Sequence, residues 1–389
     1  MAPPARSPVV RPAGVYIHVP WCKHRCAYCD FYFVVGRPDP RFAQAVVDEW
    51  RERRGQLGEA PALVGLYFGG GTPGLLLPEQ VHAIISAVGR EAALTPGAEV
   101  TLEVNPRDVS PASVAAWRAA GVTRVSLGVQ SFHDATLKRL GRGHTGADAR
   151  TAVERLAGAG FRELSIDLIF GADTQGADEL DRDLALASSM ADHVSVYCLT
   201  YEEGTHLTRL RSRGRLAALD SDGEADRYER VQARLTASGF RQYEPSNYAR
   251  PGHEAVHNRL YWQGRAYLGL GPGAASYLRY PDGTAWRGRN APDLEGYLAG
   301  RAHIVDEEHL DGAHALADRM FAGLRDMERG IALDALEAEH QVRVPGDVEG
   351  ALEQYAREGL LERAAPRCFR VTARGALLAD RIASSVLRD

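Results

Sequence analysis

Three of the five cysteines of this chain lie close together, at Cys22, Cys26 and Cys29. They stand in the stretch YIHVPWCKHRCAYCDFYF, residues 16–33, where a short apolar run is followed by a loop. Thiolates grouped so tightly are soft ligands suited to zinc or to an iron–sulfur cluster. Three of them leave one metal position without a protein sulfur. The loop therefore predicts a metal centre with an open position, where chemistry can occur.

A structural zinc site and disulfides are the two other interpretations of the cysteines. A structural zinc site needs a fourth ligand, and His24 or His18 can supply one, although such sites usually draw paired ligands from two separated knuckles. Disulfides fit poorly, because the number of cysteines is odd and the chain is far longer than a disulfide-stapled domain. Cys198 and Cys368 stand alone, and we expect each to be a buried small hydrophobic residue. An iron–sulfur cluster is the preferred interpretation, with zinc left open.

The elements that must position this loop alternate between strand and helix. Apolar runs predict strands at 15–19, 62–68, 99–104, 124–130, 163–170 and 193–199. Helical spacing follows them at 41–54, 78–90, 111–120, 134–140, 147–159 and 177–190. Six βα units in series predict a parallel sheet with right-handed crossovers.

Polar or glycine-rich residues follow each predicted strand. The cysteine loop follows the first strand, GGGTP (69–73) the second, and Glu103 and Asn105 the third. Gln130, Asp167 and Thr200 lie near the ends of the next three strands. Residues at the carboxyl ends of successive strands converge on one mouth in TIM-type barrels. The sequence therefore predicts an α/β fold with a partial (β/α)6 barrel.

The rest of the chain divides into a lead-in and a second unit. Residues 1–14 are Pro-rich and predict a disordered N-terminal lead-in, and the barrel is expected to span 15–290. Residues 291–389 predict a small helical, winged-helix-like domain with helices at 313–326, 331–340 and 348–358 and two short strands after them. Residues 301–389 hold 17 acidic residues against 12 Arg. That balance argues against a nucleic-acid partner, so packing or a lid role is favoured.

Composition excludes few classes of protein. With 45% hydrophobic and 25% charged residues and a net charge of -5, the chain is typical of a soluble globular protein. No apolar run approaches the roughly 20 residues that span a bilayer. We expect a cytoplasmic protein that contacts membranes only through a partner.

The C-x3-C-x2-C spacing, with Tyr28 before the last cysteine, resembles the cluster loop of the radical S-adenosylmethionine (SAM) proteins. In that family three cysteines hold a [4Fe-4S] cluster and SAM chelates the fourth iron. The glycine turn lies one βα unit later and resembles the family's motif that contacts the methionine amino group. By resemblance to the oxygen-independent coproporphyrinogen oxidase branch, which binds two SAM molecules, Tyr16, Gly70 and Glu103 match the first site. The second site is matched by Tyr28, Gly71, Thr72, Gln130, Arg142 and Asp167.

Further motifs resemble most closely the HemW-type heme chaperones, and the resemblance covers nearly the whole chain. They are SLGVQSF (126–132), HVSVYCLTYEEGT (193–205), QYEPSNYA (242–249), HNRLYW (257–262) and GLGPGAAS (269–276). The coproporphyrinogen oxidases carry an additional cysteine where this chain has Phe31, and they lack HN-x-x-YW. Two segments depart from the HemW pattern, namely GADTQG (171–176) in place of GLPGQT and Gly273-Ala274-Ala275-Ser276 in place of GAHS.

The resemblance implies a heme chaperone that carries a SAM-chelated [4Fe-4S] cluster and transfers heme to an acceptor protein. Within HNRLYW, His257 is the candidate heme ligand, with His253 as a rival and a hydrogen-bonded core histidine as the alternative. Two other functions stay open. One is a radical SAM enzyme acting on a porphyrin-type substrate, as an oxidase or a methyltransferase. The other is a zinc-stapled binding module that needs no SAM.

Overall fold

The computed structural model of the protein describes residues 12–58 and 61–387. Residues 1–11 of the predicted lead-in lie outside the described residues. Ala13 and Gly14, which the prediction placed in the lead-in, belong to the first strand and are buried.

Seventeen strands are assigned within the described residues. They are β1 Ala13–Val19, β2 Trp21–Cys22, β3 Val34–Val35, β4 Ala62–Gly70, β5 Ala93–Val104, β6 Arg124–Gln130, β7 Glu163–Phe170, β8 His193–Cys198, β9 Arg241–Glu244, β10 Asn247–Ala249, β11 Tyr267–Leu270, β12 Ala275–Arg279, β13 Ala285–Asn290, β14 Ile304–Leu310, β15 Ile331–Ala332, β16 Leu361–Ala365 and β17 Cys368–Val371.

Fifteen α-helices are assigned within the same residues. They are α1 Phe42–Arg53, α2 Pro78–Glu91, α3 Pro111–Ala120, α4 Asp134–Arg139, α5 Gly146–Ala157, α6 Ala177–Met190, α7 His206–Ser212, α8 Ser221–Ala237, α9 Val256–Trp262, α10 Leu294–Leu298, α11 Gly312–Gly323, α12 Leu333–His340, α13 Gly346–Arg357, α14 Ala373–Ala376 and α15 Ala379–Ser384.

One large sheet carries the fold. Its strand order is β14-β13-β12-β11-β1-β4-β5-β6-β7-β8-β10-β9, with β1, β4, β5, β6, β7 and β8 side by side and parallel. These are the six predicted barrel strands, and helices α1 to α6 lie near their predicted bounds. Strands buried on both faces read as nearly continuous apolar runs, as in ELSIDLIF of β7. The prediction of an α/β fold with a partial barrel is confirmed.

The barrel is open, because its outer strands β14 and β9 occupy opposite ends of the strand order. Two features of the sheet were not predicted. A seventh parallel strand, β11, pairs with β1 through a register that joins Tyr16 to Gly269. Antiparallel strands then extend both edges, with β12 to β14 beyond β11 and with β10 and β9 beyond β8.

The C-terminal unit has its own hydrophobic core. That core includes Leu316 in α11, Leu352 in α13 and Phe369 in β17, and a three-stranded sheet of order β15-β17-β16 packs with the helices. The predicted boundary at residue 291 does not match this division, because β14 pairs with β13 and so belongs to the large sheet. We propose that the second unit begins after Leu310. Across the described residues, no helix combines the length and the apolar character needed to cross a membrane.

Candidate functional site

The three clustered cysteines line one wall of a cavity of about 960 Å³ at the carboxyl ends of the parallel strands. Their loop is held by a short parallel ladder in which Cys22 of β2 pairs with Val35 of β3. The Thr72 hydroxyl donates to the Cys22 sulfur at 3.6 Å. All three thiols are free and half-buried, which leaves them available as ligands.

Arg142 places a positive charge against this wall. Its Nη1 donates to the Cys26 sulfur at 3.3 Å, and its Nη2 donates to the Gly128 carbonyl at 2.8 Å and to the Asn105 side chain. Burial by itself raises the pKa of the Cys26 thiol. A hydrogen bond with His24 and the charge and hydrogen bond of Arg142 outweigh burial, so the pKa of Cys26 lies below its usual value. The arrangement therefore favours the thiolate that metal binding requires.

At the other two thiols the hydrogen bonds, from Thr72 to Cys22 and from the Phe31 backbone to Cys29, do not outweigh burial. Burial raises the pKa of Cys22, and it raises the pKa of Cys29 to about 11. In the described part of the chain, no three His, Cys, Asp or Glu side chains are grouped to hold a single metal ion. In a cubane each cysteine binds a different iron, so a cluster does not require its sulfurs to meet at one atom.

The glycine turn after β4 brings backbone close to the cysteine loop. Gly70 has φ +106°, a conformation that favours glycine, and a Cβ there would lie 2.6 Å from the His18 ring. A Cβ on Gly71 would lie 2.7 Å from the Trp21 carbonyl oxygen. Glycine is therefore required at both positions. Gly70, Gly71 and Thr72 all line the cavity.

Glu103 lies at the end of β5 and faces the same cavity. Its Oε1 accepts from the Tyr67 hydroxyl at 2.8 Å, and its Oε2 accepts from the Gly70 amide at 3.2 Å. Burial, together with the negative charge of Asp167, raises the pKa of Glu103 to about 7, although the hydrogen bonds from Tyr67 and Gly70 lower it. A cationic group in the cavity would relieve this penalty, since it favours the carboxylate.

Asp167 in β7 is the second carboxyl group of the cavity. The Ser126 hydroxyl donates to it at 2.8 Å, and the Ser165 hydroxyl contacts it at 3.4 Å. Burial raises the pKa of Asp167 despite these hydrogen bonds. The cavity thus has a thiol wall at the cysteine loop and a carboxyl wall inside the barrel. This donor set fits a soft metal cluster and a ligand that carries positive charge.

Gln130 is the last residue of β6 and has an unusual backbone conformation. Its φ is +68°, and the sheet register shifts between Gly128 and Gln130, so the strand is irregular where it meets the cavity. The side chain lies near Gly128, where a Cβ would be 3.1 Å from its Nε2. Non-glycine residues in this region are strained, and such strain is concentrated at functional sites.

Most predicted site residues line this one cavity. They are Cys22, Cys26, Tyr28, Cys29, Gly70, Gly71, Thr72, Glu103, Gln130, Arg142 and Asp167. Tyr16 lies beside the lining residues, with its ring stacked on Tyr67 at 6.0 Å and its hydroxyl 3.2 Å from His18 Nδ1.

His257, the predicted heme ligand, is placed elsewhere. It lies on α9, is 1% exposed, and its ring packs 5.1 Å from Tyr67. Its Nε2 is hydrogen-bonded with the Tyr261 hydroxyl at 2.9 Å, and burial lowers its pKa to about 3. A Cβ on Gly14 or Gly65, in β1 and β4, would lie within 3.5 Å of this ring. His257 is thus a core side chain against the strands rather than a residue that faces the cavity.

The interior of the barrel adds polar residues that the sequence analysis did not single out. They are Tyr67 on β4, Thr101 on β5, Arg124 and Ser126 on β6, Ser165 on β7, and His193, Ser195 and Tyr197 on β8. Alternate residues of a strand face the same side, so polar residues two apart, as Ser165 and Asp167 are, signal an interior lined for a polar ligand. This two-residue spacing of polar side chains is the sequence signal that could have identified these residues.

A parallel, partly open barrel with a three-cysteine loop and a glycine turn at its carboxyl ends defines a radical SAM protein. The model of the Radical SAM superfamily matches residues 16–187. The chain is 38% identical over 384 residues to the heme chaperone HemW of Mycobacterium tuberculosis H37Rv, covering 97% of this chain and 95% of that protein. It is 32% identical over 386 residues to HemW of Bacillus subtilis 168, covering 97% and 99%. The chain therefore belongs to the HemW family. Membership in the superfamily implies SAM and a [4Fe-4S] cluster as cofactors.

A solved structure shares the fold. The radical SAM enzyme coproporphyrinogen III oxidase (HemN) of Escherichia coli superposes with a TM-score of 0.78 at 23% sequence identity, covering 97% of this chain and 90% of that chain. At this identity the similarity establishes the architecture and not the activity.

Proposed function

We propose that this protein is a heme chaperone, which binds heme and transfers it to an acceptor protein while carrying a SAM-chelated [4Fe-4S] cluster. The observation that carries the proposal is the similarity to proteins named heme chaperones, which extends over 97% of the chain rather than over the cysteine loop alone. The cavity supports it, because one wall offers three free thiols and the other offers carboxyl groups.

We assign the cofactors to the cavity walls as follows. Cys22, Cys26 and Cys29 hold the cluster, and Arg142 keeps Cys26 in its thiolate form. The carboxylates of Glu103 and Asp167 attract the positively charged groups of SAM. When bound, the cluster supplies an electron that SAM can accept, and the protein positions the groups and excludes water. Gly70, Gly71, Thr72, Tyr28 and Gln130 complete the SAM contacts, and Tyr16 supports them from the next layer through Tyr67.

The test is a hemin titration of anaerobically purified protein before and after cluster assembly. The proposal predicts stoichiometric binding of hemin and its subsequent loss to an apo-cytochrome, with apomyoglobin reporting the rate of passive release. Failure to bind hemin in either state contradicts it, as does transfer no faster than passive release.

The same samples decide between the proposed function and an enzyme of porphyrin metabolism. Incubation with dithionite, SAM and coproporphyrinogen III, followed by chromatography, measures 5′-deoxyadenosine and oxidised porphyrin. A chaperone gives no porphyrinogen turnover. Catalytic turnover would instead establish the enzyme, and bound zinc without iron would establish the zinc-stapled module.

A further inference from the structure

The segment after the last cysteine exposes apolar side chains beside the cavity. Phe31 lies in a bend, and only Val34 and Val35 at the end of the segment form a strand, β3. Tyr32 and Val34 face the protein. The Tyr32 hydroxyl accepts from the Leu294 amide at 3.1 Å, and Val34 packs against the main hydrophobic core.

The other three apolar side chains are called the rim stripe (Phe31, Phe33 and Val35), of which Phe33 is half-buried. Phe31 is 66% exposed and Val35 is 57% exposed. Phe31 and Phe33 also line the large cavity beside Cys29, so the stripe forms a lip of the cofactor site. Their position at the mouth of the cavity, rather than their exposure alone, makes Phe31 and Phe33 candidates for contact with a ligand.

A positive charge accompanies the stripe. The Arg25 guanidinium lies 5.8 Å from the centre of the Phe33 ring. Arg25 is exposed, and in the part of the chain that the structure describes no carboxylate lies within ion-pair distance of it. The lip therefore offers aromatic faces together with a cation whose charge no acidic side chain neutralises.

We propose that the rim stripe is the heme site, with one porphyrin face on Phe31 and Phe33 and a propionate paired with Arg25. This inference rests on the proposed function. Heme is the occupant that the surface fits, since it is a flat apolar plate that carries carboxylates on one edge, and aromatic rings stack on such plates. The buried His257 leaves the heme without an assigned site, and the stripe places it at the mouth of the cluster cavity.

The experiment uses the full chain with its cluster assembled, and it measures the dissociation constant of hemin by absorbance. Phe31→Ser and Phe33→Ser are each expected to weaken hemin binding roughly tenfold, since each removes an aromatic contact. Phe31→Trp keeps the ring and is expected to retain affinity, with quenching of the new indole fluorescence as heme binds. The matched control is Leu377→Ser, which removes an exposed apolar side chain from the C-terminal unit, where Leu377 is 38% exposed.

The charge is tested with a second ligand. Arg25→Gln is expected to weaken hemin roughly threefold to tenfold while leaving affinity for hemin dimethyl ester unchanged, because the ester has no propionate charge. Iron content and SAM binding of each variant establish that the cluster loop is intact.

Wild-type hemin affinity in Phe31→Ser would overturn the inference. So would a variant that binds hemin normally but fails to transfer it, since the stripe would then dock the acceptor protein instead. If the wild-type protein itself does not bind hemin, the proposed function fails, and the variants are not needed to see that.

Discussion

Replacing Glu103 by Gln separates two effects of this residue. One is its destabilisation of the SAM-free protein, and the other is its contribution to SAM binding. Glu103 is held by hydrogen bonds from the Tyr67 hydroxyl and the Gly70 amide, and the negative charge of Asp167 acts on it in the same cavity. An amide keeps the shape of the side chain and removes the titrating charge. We expect Glu103→Gln to make the SAM-free protein more stable at high pH and to weaken its binding of SAM.

The magnitude follows from the pKa. Burial raises the pKa of Glu103 from 4.5 to about 7 in the folded protein. Each unit of difference from the unfolded state corresponds to about 1.4 kcal/mol, so ionised Glu103 costs up to about 3 kcal/mol above pH 7. This is an upper limit, because Glu103 is half-buried and its charge is therefore partly screened by solvent. The cost shrinks as pH falls from about 7 to 4.5, and it is absent below that range, where the group is protonated in both states.

The assay is urea unfolding of SAM-free protein at pH 8 and at pH 5, with isothermal titration of SAM at pH 8. Glu103→Gln is expected to be more stable than wild type by about 1–3 kcal/mol at pH 8 and by much less at pH 5, and to bind SAM at least tenfold more weakly. Glu52→Gln, at an exposed position of α1, is the control and should change neither. A Glu103→Gln protein that is destabilised equally at both pH values would refute the reasoning, and so would unchanged SAM affinity.

Three further results are expected from the described contacts. Arg124→Met leaves Glu99 buried without its partner, now 2.6 Å away, and should cost about 3–5 kcal/mol of unfolding free energy, part of which Glu99→Gln restores in the double variant. Asp181→Asn removes a carboxylate whose pKa is lowered to about 2 by Arg230 and Arg234 of α8. Because both arginines are partly exposed, the free energy of unfolding should fall by at most about 1 kcal/mol at pH 7. The difference from wild type should vanish as the pH falls from 4 to 2, where Asp181 becomes protonated. His257→Ala should lower the free energy of unfolding by about 2–4 kcal/mol, because it leaves a cavity beside β1 and β4. The hemin affinity of this variant should stay within twofold of wild type. Chemical denaturation measures all three, and a weaker hemin complex in the last variant would return His257 to the heme site.

The sequence predicted the barrel well because its information is local. Six buried strands alternate with amphipathic helices, and the residues after each strand converge as the rule for parallel barrels requires. Cys26, Glu103 and Asp167 lie far apart in sequence and yet line one cavity, since they lie on or after different parallel strands of the same sheet.

What the sequence did not predict depends on pairing between distant segments. The short run YLGL of β11 has no pattern that distinguishes a strand from a turn, and it becomes parallel strand only beside β1, some 250 residues earlier. Placement of α9 has the same cause. HNRLYW contains ligand-type and aromatic residues, but only packing against β1 and β4 decides that His257 faces the core.

The central claim is a cluster held by three cysteines with one iron left for SAM. Electron paramagnetic resonance of the anaerobically reconstituted, dithionite-reduced protein tests it most directly, with iron and zinc measured on the same sample. The account predicts about four irons per chain, a reduced-cluster signal that changes when SAM is added, and loss of that signal in Cys26→Ala but not in Cys198→Ala. A spectrum that is identical with and without saturating SAM, or a protein that holds zinc in place of iron, would contradict it.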